Sequence, residues 1–466
     1  MEKNKRARAR RALPALLCVL LLAGCAAARD ASPTPGPAGE SVPTPSPTAA
    51  PWVTVGGRNY YAGSGTLTLP ADTGCDELLE TLGRFPALTK VTFTGGAVDR
   101  AAQDVLRAAF PEIEFCCDTV LLGRVWPYAV TELSLAGEAL NEDDLDELAT
   151  EVHRLPFVER ADLTGCGLSD DALHALDEAL DGVDVVWTIP VYGREFRSTD
   201  PEIDLSEIKV TDGGAEIEAK LPYFSRLEKV VMCGCGISDE AMDELNRRHD
   251  AVRFVWEVKM GAWKLRTDDT NFCVNRRYSS ASLYSWHCEA LKYCPDLIAL
   301  DLGHRNVTTL DFLKYTPHLQ YLILAAMPIR DLTPISSLHE LKYLELFLTK
   351  AEDLSPLAEC TALQDLNISY VYAKPDNAFD TLMRMPWLER LWYCGCPLDA
   401  EHKALLQANM PGCEMYLDPH GESTGSTWRT HEHYYEMRDI FGMRYMEGGM
   451  SGMTAERVEP EGGDDP

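Results

Sequence analysis

One spacing governs what this chain can fold into. The triplet Leu-x-x-Leu-x-Leu stands at Leu319, Leu322 and Leu324 and returns at Leu341, Leu344 and Leu346, 22 residues later. Between the copies, Asp-Leu-Thr-Pro from Asp331 to Pro334 is answered by Asp-Leu-Ser-Pro from Asp353 to Pro356, again at 22. A fixed period in the twenties marks a repeat architecture, in which each unit needs its neighbours to bury its apolar edge. The triplet also stands at Leu297/Leu300/Leu302, Leu363/Leu366/Ile368 and Leu388/Leu391/Tyr393. Looser copies begin at Leu88, Val130, Val158, Asp200, Leu227 and Asp269, with an early one at Ser64. The last two positions of each triplet alternate, so a short strand sends both to one face. Successive strands then stack in parallel about 4.8 Å apart.

The upstream starts are separated alternately by 42 and by 27 or 28 residues. Each long turn carries an added strand-like run ending near a glycine, as in "VDVVWTIPVYGREF" and "VRFVWEVKMGAW". Gly57, Gly123, Gly193 and Gly261 mark these runs, which predict hairpins inserted into every second turn. Eleven residues after a start stand Asp99, Asn141, Ser169, Ser238 and Asp399. All are good N-caps, and acidic residues such as Glu142, Asp170 and Asp239 follow them in the first helical turn, where the helix dipole favours them. The same placement argues against reading "NEDDLDE" as a calcium loop. The 22-residue turns have room only for a short 3-10 segment, predicted to be capped by Thr333 or Ser355 with Pro334 or Pro356 at its first position.

On these triplets and caps the sequence resembles the leucine-rich repeat family. Residues 297–387 are similar to the 22-residue class seen in internalins, and the earlier part to the longer, helix-containing class. The whole layout resembles leucine-rich repeat lipoproteins of Gram-positive bacteria. The resemblance implies an α/β solenoid: a parallel concave sheet, with helices and then 3-10 turns on the convex side. It also implies binding of another macromolecule on that sheet. The family places Asn or Cys eight residues after a start. Cys166, Cys235 and Cys396 obey, whereas Arg305, Met327, Thr349 and Val371 do not, which predicts looser turns in the regular part.

Residues two, four and six after each start are expected on the concave side. Over the last turns these include Tyr321, Tyr343, Glu345, Phe347, Asp365, Asn367, Arg390 and Trp392. Large aromatics exposed beside polar neighbours would form a binding patch for a protein, peptide or glycan. A structural role, shielding the sheet or packing on a C-terminal cap, is the alternative.

The N-terminus reads as a processing segment. A basic head from Lys3 to Arg11 precedes an apolar run from Ala12 to Ala23, shorter than the roughly 20 residues a membrane span needs. The run ends Leu22-Ala23-Gly24-Cys25, which resembles a lipobox and implies cleavage before a lipidated Cys25; ordinary cleavage near Ala28 is the alternative. The expected organisation is a signal peptide over 1–24 and a Pro-rich linker over 25–51. A solenoid over 52–417, a C-terminal cap over 418–446 and an acidic tail over 447–466 follow. The chain is thus expected on the extracellular face of the cell membrane, held by a lipid.

The net charge of −30 argues against nucleic acid, whose backbone repels an acidic surface. Of 15 cysteines, Cys18 would leave with the signal and Cys25 would carry lipid, leaving thirteen. Ladder positions predict buried thiols with few or no disulfides. The pairs Cys233/Cys235 and Cys394/Cys396 read as packing residues in tight turns rather than metal ligands. The tail from His431 to Phe441 is predicted to be a helix with Tyr434, Met437 and Phe441 on one face, closing the end of the coil. His420, His431 and His433, with Asp418 or Glu432, offer an alternative reading as a metal-dependent hydrolase. No HExxH or P-loop is present, and no enzyme, metal or cofactor is expected. The leading expectation is a lipid-anchored surface binding scaffold, with a structural envelope protein as a further alternative.

Overall fold

The computed structural model describes residues 51–274, 281–417, 428 and 431–442. The signal segment, Cys25, nearly all of the Pro-rich linker, His420 and the acidic tail lie outside the described residues. Seven short strands pair in chain order as one parallel sheet: Asn271–Cys273, Ala299–Asp301, Tyr321–Ile323, Tyr343–Glu345, Asp365–Asn367, Arg390–Trp392 and Glu414–Tyr416. Their register never slips, so Phe272, Leu300, Leu322, Leu344, Leu366, Leu391 and Met415 stand opposite one another as rungs. A one-residue slip would turn every leucine to the other face. All five rung leucines are fully buried, which is what holds the register.

Upstream, three parallel trios form separate sheets. Their strands are Thr66–Pro70, Lys90–Ala97 and Glu114–Leu121; Glu132–Ser134, Arg160–Asp162 and Asp184–Val186; and Glu202–Asp204, Lys229–Val231 and Arg253–Val255. The strand-like runs of the long turns are therefore not only hairpin arms. "IEFCC", "VDVVW" and "VRFVW" each add a third parallel rung before the hairpin begins. Alternating Leu spacing hides this, because the third rung is built from Val and Phe.

Antiparallel hairpins form at all four marked glycines, with Val55 paired to Arg58, Leu121 to Arg124, Val191 to Arg194 and Met260 to Trp263. In the first three both turn residues have positive φ, as a type I′ turn requires: Gly56 and Gly57, Leu122 and Gly123, Tyr192 and Gly193. Trp187 and Trp256 tie two hairpins to the coil. Each indole N–H donates to the first residue of a preceding helix, Asp170 or Asp239, at 3.1 Å. Each backbone N–H donates to a buried hydroxyl, of Ser198 or Thr267, at the hairpin's far end.

Helices return the chain where the turns are long. Asp99, Asn141, Ser169, Ser238 and Asp399 all cap them through side-chain oxygens, and Asn141 forms a capping box with Asp144. In the short turns, 3-10 segments span Thr333–Ser337 and Ser355–Glu359. The capping role falls on Asp331 and Asp353, not on Thr333 and Ser355, whose backbone N–H groups donate to those carboxylates at 2.8 and 2.9 Å.

From Leu88 on, position seven after a start lies in the left-handed region wherever that position is among the described residues. Gly137, Gly165, Gly234 and Gly395 occupy it upstream and at the end, but His304, Ala326, Leu348 and Tyr370 occupy it in the regular part. There the missing Asn or Cys is replaced by main chain. The N–H groups of these four residues donate to the carbonyls of Ala325, Phe347, Ser369 and Cys394 on the following turn. Cys166 and Cys235 do as expected, their thiols donating to Leu135 O and Leu205 O at 3.1 Å.

One apolar core runs from Leu121 to Met410, and a smaller one fills the region from Val53 to Cys117. All thirteen described cysteines are free thiols. Among the described residues no helix is long and apolar enough to cross a membrane.

Candidate binding face on the parallel sheet

Alternation puts the residues flanking each rung leucine on the outer face of the sheet. In the upstream trios that face is open at the first strand, with Glu132 and Ser134 exposed around buried Leu133 and Glu202 and Asp204 around Ile203, and closes over Val186, Val231 and Val255, which are buried. It is lined by ion pairs, with Arg160 bridging Glu132 and Asp162 at 3.3 and 3.2 Å and Lys229 meeting Glu202 at 2.6 Å. In the seven-stranded sheet the outer face is covered. The strands Tyr343–Glu345, Asp365–Asn367 and Arg390–Trp392 are buried at every position.

The cover is the chain's own tail. Helix Glu432–Ile440, capped by His431, turns Tyr434 and Met437 inward, with Phe441 just beyond its end. With Trp428 they form one apolar cluster with Ala299, Ile323, Ala325, Tyr343, Phe347 and Trp392. The sequence periodicity found this helix and its apolar face; it points to a cap on the end of the coil, whereas the described part lies on the sheet face. The expectation of an exposed patch is corrected accordingly. Tyr343, Glu345, Phe347, Asp365, Asn367, Arg390 and Trp392 do share one face, but all are buried, and only Tyr321 keeps partial exposure.

Aromatic rings organise the contact. Trp392 stacks on Tyr416 with centroids 5.3 Å apart and planes 7° apart, and meets Trp428 edge-on at 4.3 Å. Trp428 in turn stacks on Tyr343 at 5.4 Å. Offset and edge-on pairs of this kind add to what area burial alone supplies. Three polar atoms are buried here without a hydrogen-bond partner: Tyr343 Oη, Trp392 Nε1 and Trp428 Nε1.

The floor is acidic. Asp301, Glu345, Asp365 and Asn367 are buried in it, and Arg390 is its buried cation. Asp301 and Asn367 each accept a backbone N–H two residues on, at 2.9 Å, so part of their role is to turn the chain. Arg390 grips Asp365 with two nitrogens and reaches Glu389 at 3.2 Å. Burial works against the Arg390 charge, but Asp365 and Glu389 outweigh it and raise its pKa. Burial, then the charges of Glu345 and Asp365, push the Tyr343 phenol far up, with Arg438 of the tail opposing them. The tail supplies further basic groups: His431 Nε2 faces Glu414 at 3.4 Å and His433 Nδ1 faces Asp365 at 3.8 Å.

Of the candidate metal ligands, Asp418 and His420 lie outside the described residues. His431 and His433 face different carboxylates, and among the described residues no three His, Cys, Asp or Glu side chains are grouped to hold an ion.

No protein-family model and no curated protein matches the chain. Among solved structures it is similar to internalin C2 of Listeria monocytogenes, with 21% identity over 32% of this chain and 75% of that one and a TM-score of 0.24. It is also similar to an internalin (inlF) of the same organism, with 14% identity over 70% and 91% of the two chains and a TM-score of 0.28. A leucine-rich repeat protein of Leptospira interrogans gives 14% identity over 72% and 91%, with a TM-score of 0.28. Likenesses this low carry no weight of their own; the leucine-rich repeat architecture rests on the in-register stack of Leu300, Leu322, Leu344 and Leu366.

Proposed function

We propose that this chain is a binding scaffold, anchored by lipid at Cys25 on the extracellular face of a membrane, that holds a protein partner on the outer face of its parallel sheet. The observation that carries the reading is the sheet face itself. Consecutive turns gather Tyr321, Tyr343, Phe347 and Trp392 around the Asp365–Arg390 pair, and that surface already accepts a helix. Aromatic rings beside a satisfied Arg–carboxylate pair are the composition of an interface centre. The acidic surface favours protein over nucleic acid as the partner.

The test compares the full chain with its Trp392→Ala variant by cross-linking on the surface of cells that display it. A cross-linked partner that disappears in the variant, while folding by circular dichroism is retained, supports the reading. Equal cross-linking by both removes the sheet face from the function. The anchor is tested separately: Cys25→Ala is expected to move the chain from the membrane fraction to the medium, and retention in the membrane rejects lipidation at that cysteine.

A further inference from the structure

The tail helix and the sheet face fit in charge and shape, yet their contact is incompletely satisfied. A permanent core buries most of its polar groups with partners. Here Tyr343 Oη, Trp392 Nε1 and Trp428 Nε1 are buried without one, and all three belong to residues that touch one another across the tail–sheet boundary. Tyr393 Oη is orphaned on the leucine side too, but the three here belong to rings in mutual contact. The charge balance points the same way. The floor presents Asp301, Glu345, Asp365 and Glu414 against Arg390, and the tail answers with His431, His433 and Arg438, although His433 also lies 3.7 Å from Glu436 of its own helix.

We infer that the tail helix is a resident ligand of the binding face, exchangeable for a partner's amphipathic helix that carries an aromatic anchor, cationic side chains and an acceptor for the Tyr343 hydroxyl and the Trp392 indole. This rests on the proposed function and names the class of its partner. The tail sets a threshold. A partner helix must outcompete a covalently attached one, whose effective concentration is high. It can do so by satisfying the polar atoms that the tail leaves bare. Recognition is then of the helix-in-groove kind, read as anchors spaced like Tyr434, Met437 and Phe441.

Two measurements test the exchange without any external partner. The first is hydrogen exchange of the full chain. Amides of Glu432–Ile440 are expected to exchange at least tenfold faster than those of the strands Leu322 and Leu344 belong to, through local opening. Protection equal to that of the strands means the tail is fixed core, and overturns the inference. The second uses a fluorescein-labelled synthetic peptide of residues 426–442 as probe. The full-chain Met437→Glu variant, whose own tail is weakened, is expected to bind it at least tenfold more tightly than the wild type, and Trp392→Ala added to that variant is expected to abolish binding. No binding to the Met437→Glu variant, with its strands still protected from exchange, overturns the inference, as does a wild-type chain that runs as a tail-exchanged dimer. If these measurements succeed but the surface cross-link ignores Trp392, the exchange stands and the proposed function falls; the reverse result leaves the function and removes the exchange.

Discussion

Asp365 and Arg390 occupy the same register position on adjacent strands, one turn apart, and form a two-pronged ion pair that the tail helix seals from water. Removing one partner of such a pair strands the other charge in a poorly solvated site. Arg390→Ala is therefore expected to destabilise the chain by about 3–5 kcal/mol, whereas the double replacement Arg390→Met with Asp365→Leu is expected to be near neutral. Denaturant unfolding of the three proteins measures both. A single variant that costs no more than the double one would show that the pair is open to solvent.

The ladder of left-handed residues gives a second prediction. Leu348 has φ 56 and is 45% exposed, so it carries backbone strain without deep packing in return. A branched L-residue there costs about 1 kcal/mol or more, whereas Asn visits this region readily. Leu348→Asn is expected to stabilise the chain by about 0.5–1 kcal/mol. Gly137→Ala, at φ 75, is expected to do the opposite by a similar amount. Thermal midpoints decide it, and a loss of stability in Leu348→Asn would show that the leucine packs better than its exposure implies.

The rungs and helix caps were legible in the sequence because main-chain geometry fixes both. A strand that must bury Leu322 and Leu324 on one side can tolerate only one spacing, and a helix begun by Ser169 or Ser238 announces itself with acids behind it. The third rung of each upstream trio was not legible, since Val185 and Phe254 bury as well as leucine but break the triplet. Caps of the 3-10 segments were misplaced by two residues because Asp331 and Asp353 reach forward as Asx turns. The burial of Tyr343, Phe347 and Trp392 had no local signal at all. Their cover comes from Trp428 onward, and the apolar spacing of Tyr434, Met437 and Phe441 shows that the helix has a face but not what it lies on.

Thiol chemistry gives a third prediction. Burial pushes Cys117, Cys288, Cys294 and Cys360 up to about 12, and Cys413 up to about 11. The thiolate is the reactive form, so these groups are inert near neutrality while the fold holds. Among the described cysteines only Cys75 and Cys413 are partly exposed. In a chain processed as proposed, without Cys18 and with Cys25 blocked, a thiol reagent at pH 8 is expected to label Cys75 quickly and Cys413 more slowly in the native chain, and thirteen thiols after unfolding. Fewer than thirteen in the unfolded, unreduced chain would reveal disulfides.

Acid should loosen the coil through its caps and ion pairs. The bond from Thr333 holds Asp331 below the ordinary carboxylate range, the Ser355 N–H does the same for Asp353, and the bond from Arg100 does so for Glu147. The folded chain therefore releases these protons at lower pH than the unfolded chain. Their stabilisation is complete above the unfolded values near 4 and fades as pH falls through the lower folded values. Asp239, raised mainly by burial, opposes the trend, but it is outnumbered. The denaturation midpoint is expected to be flat from pH 7 to 5 and to fall between pH 4 and 2. Replacing Asp331 and Asp353 by Asn, which keeps an oxygen acceptor for the same N–H groups but does not titrate, should flatten that fall. An unchanged acid limb in the double variant would assign the loss to the ion pairs instead of the 3-10 turns.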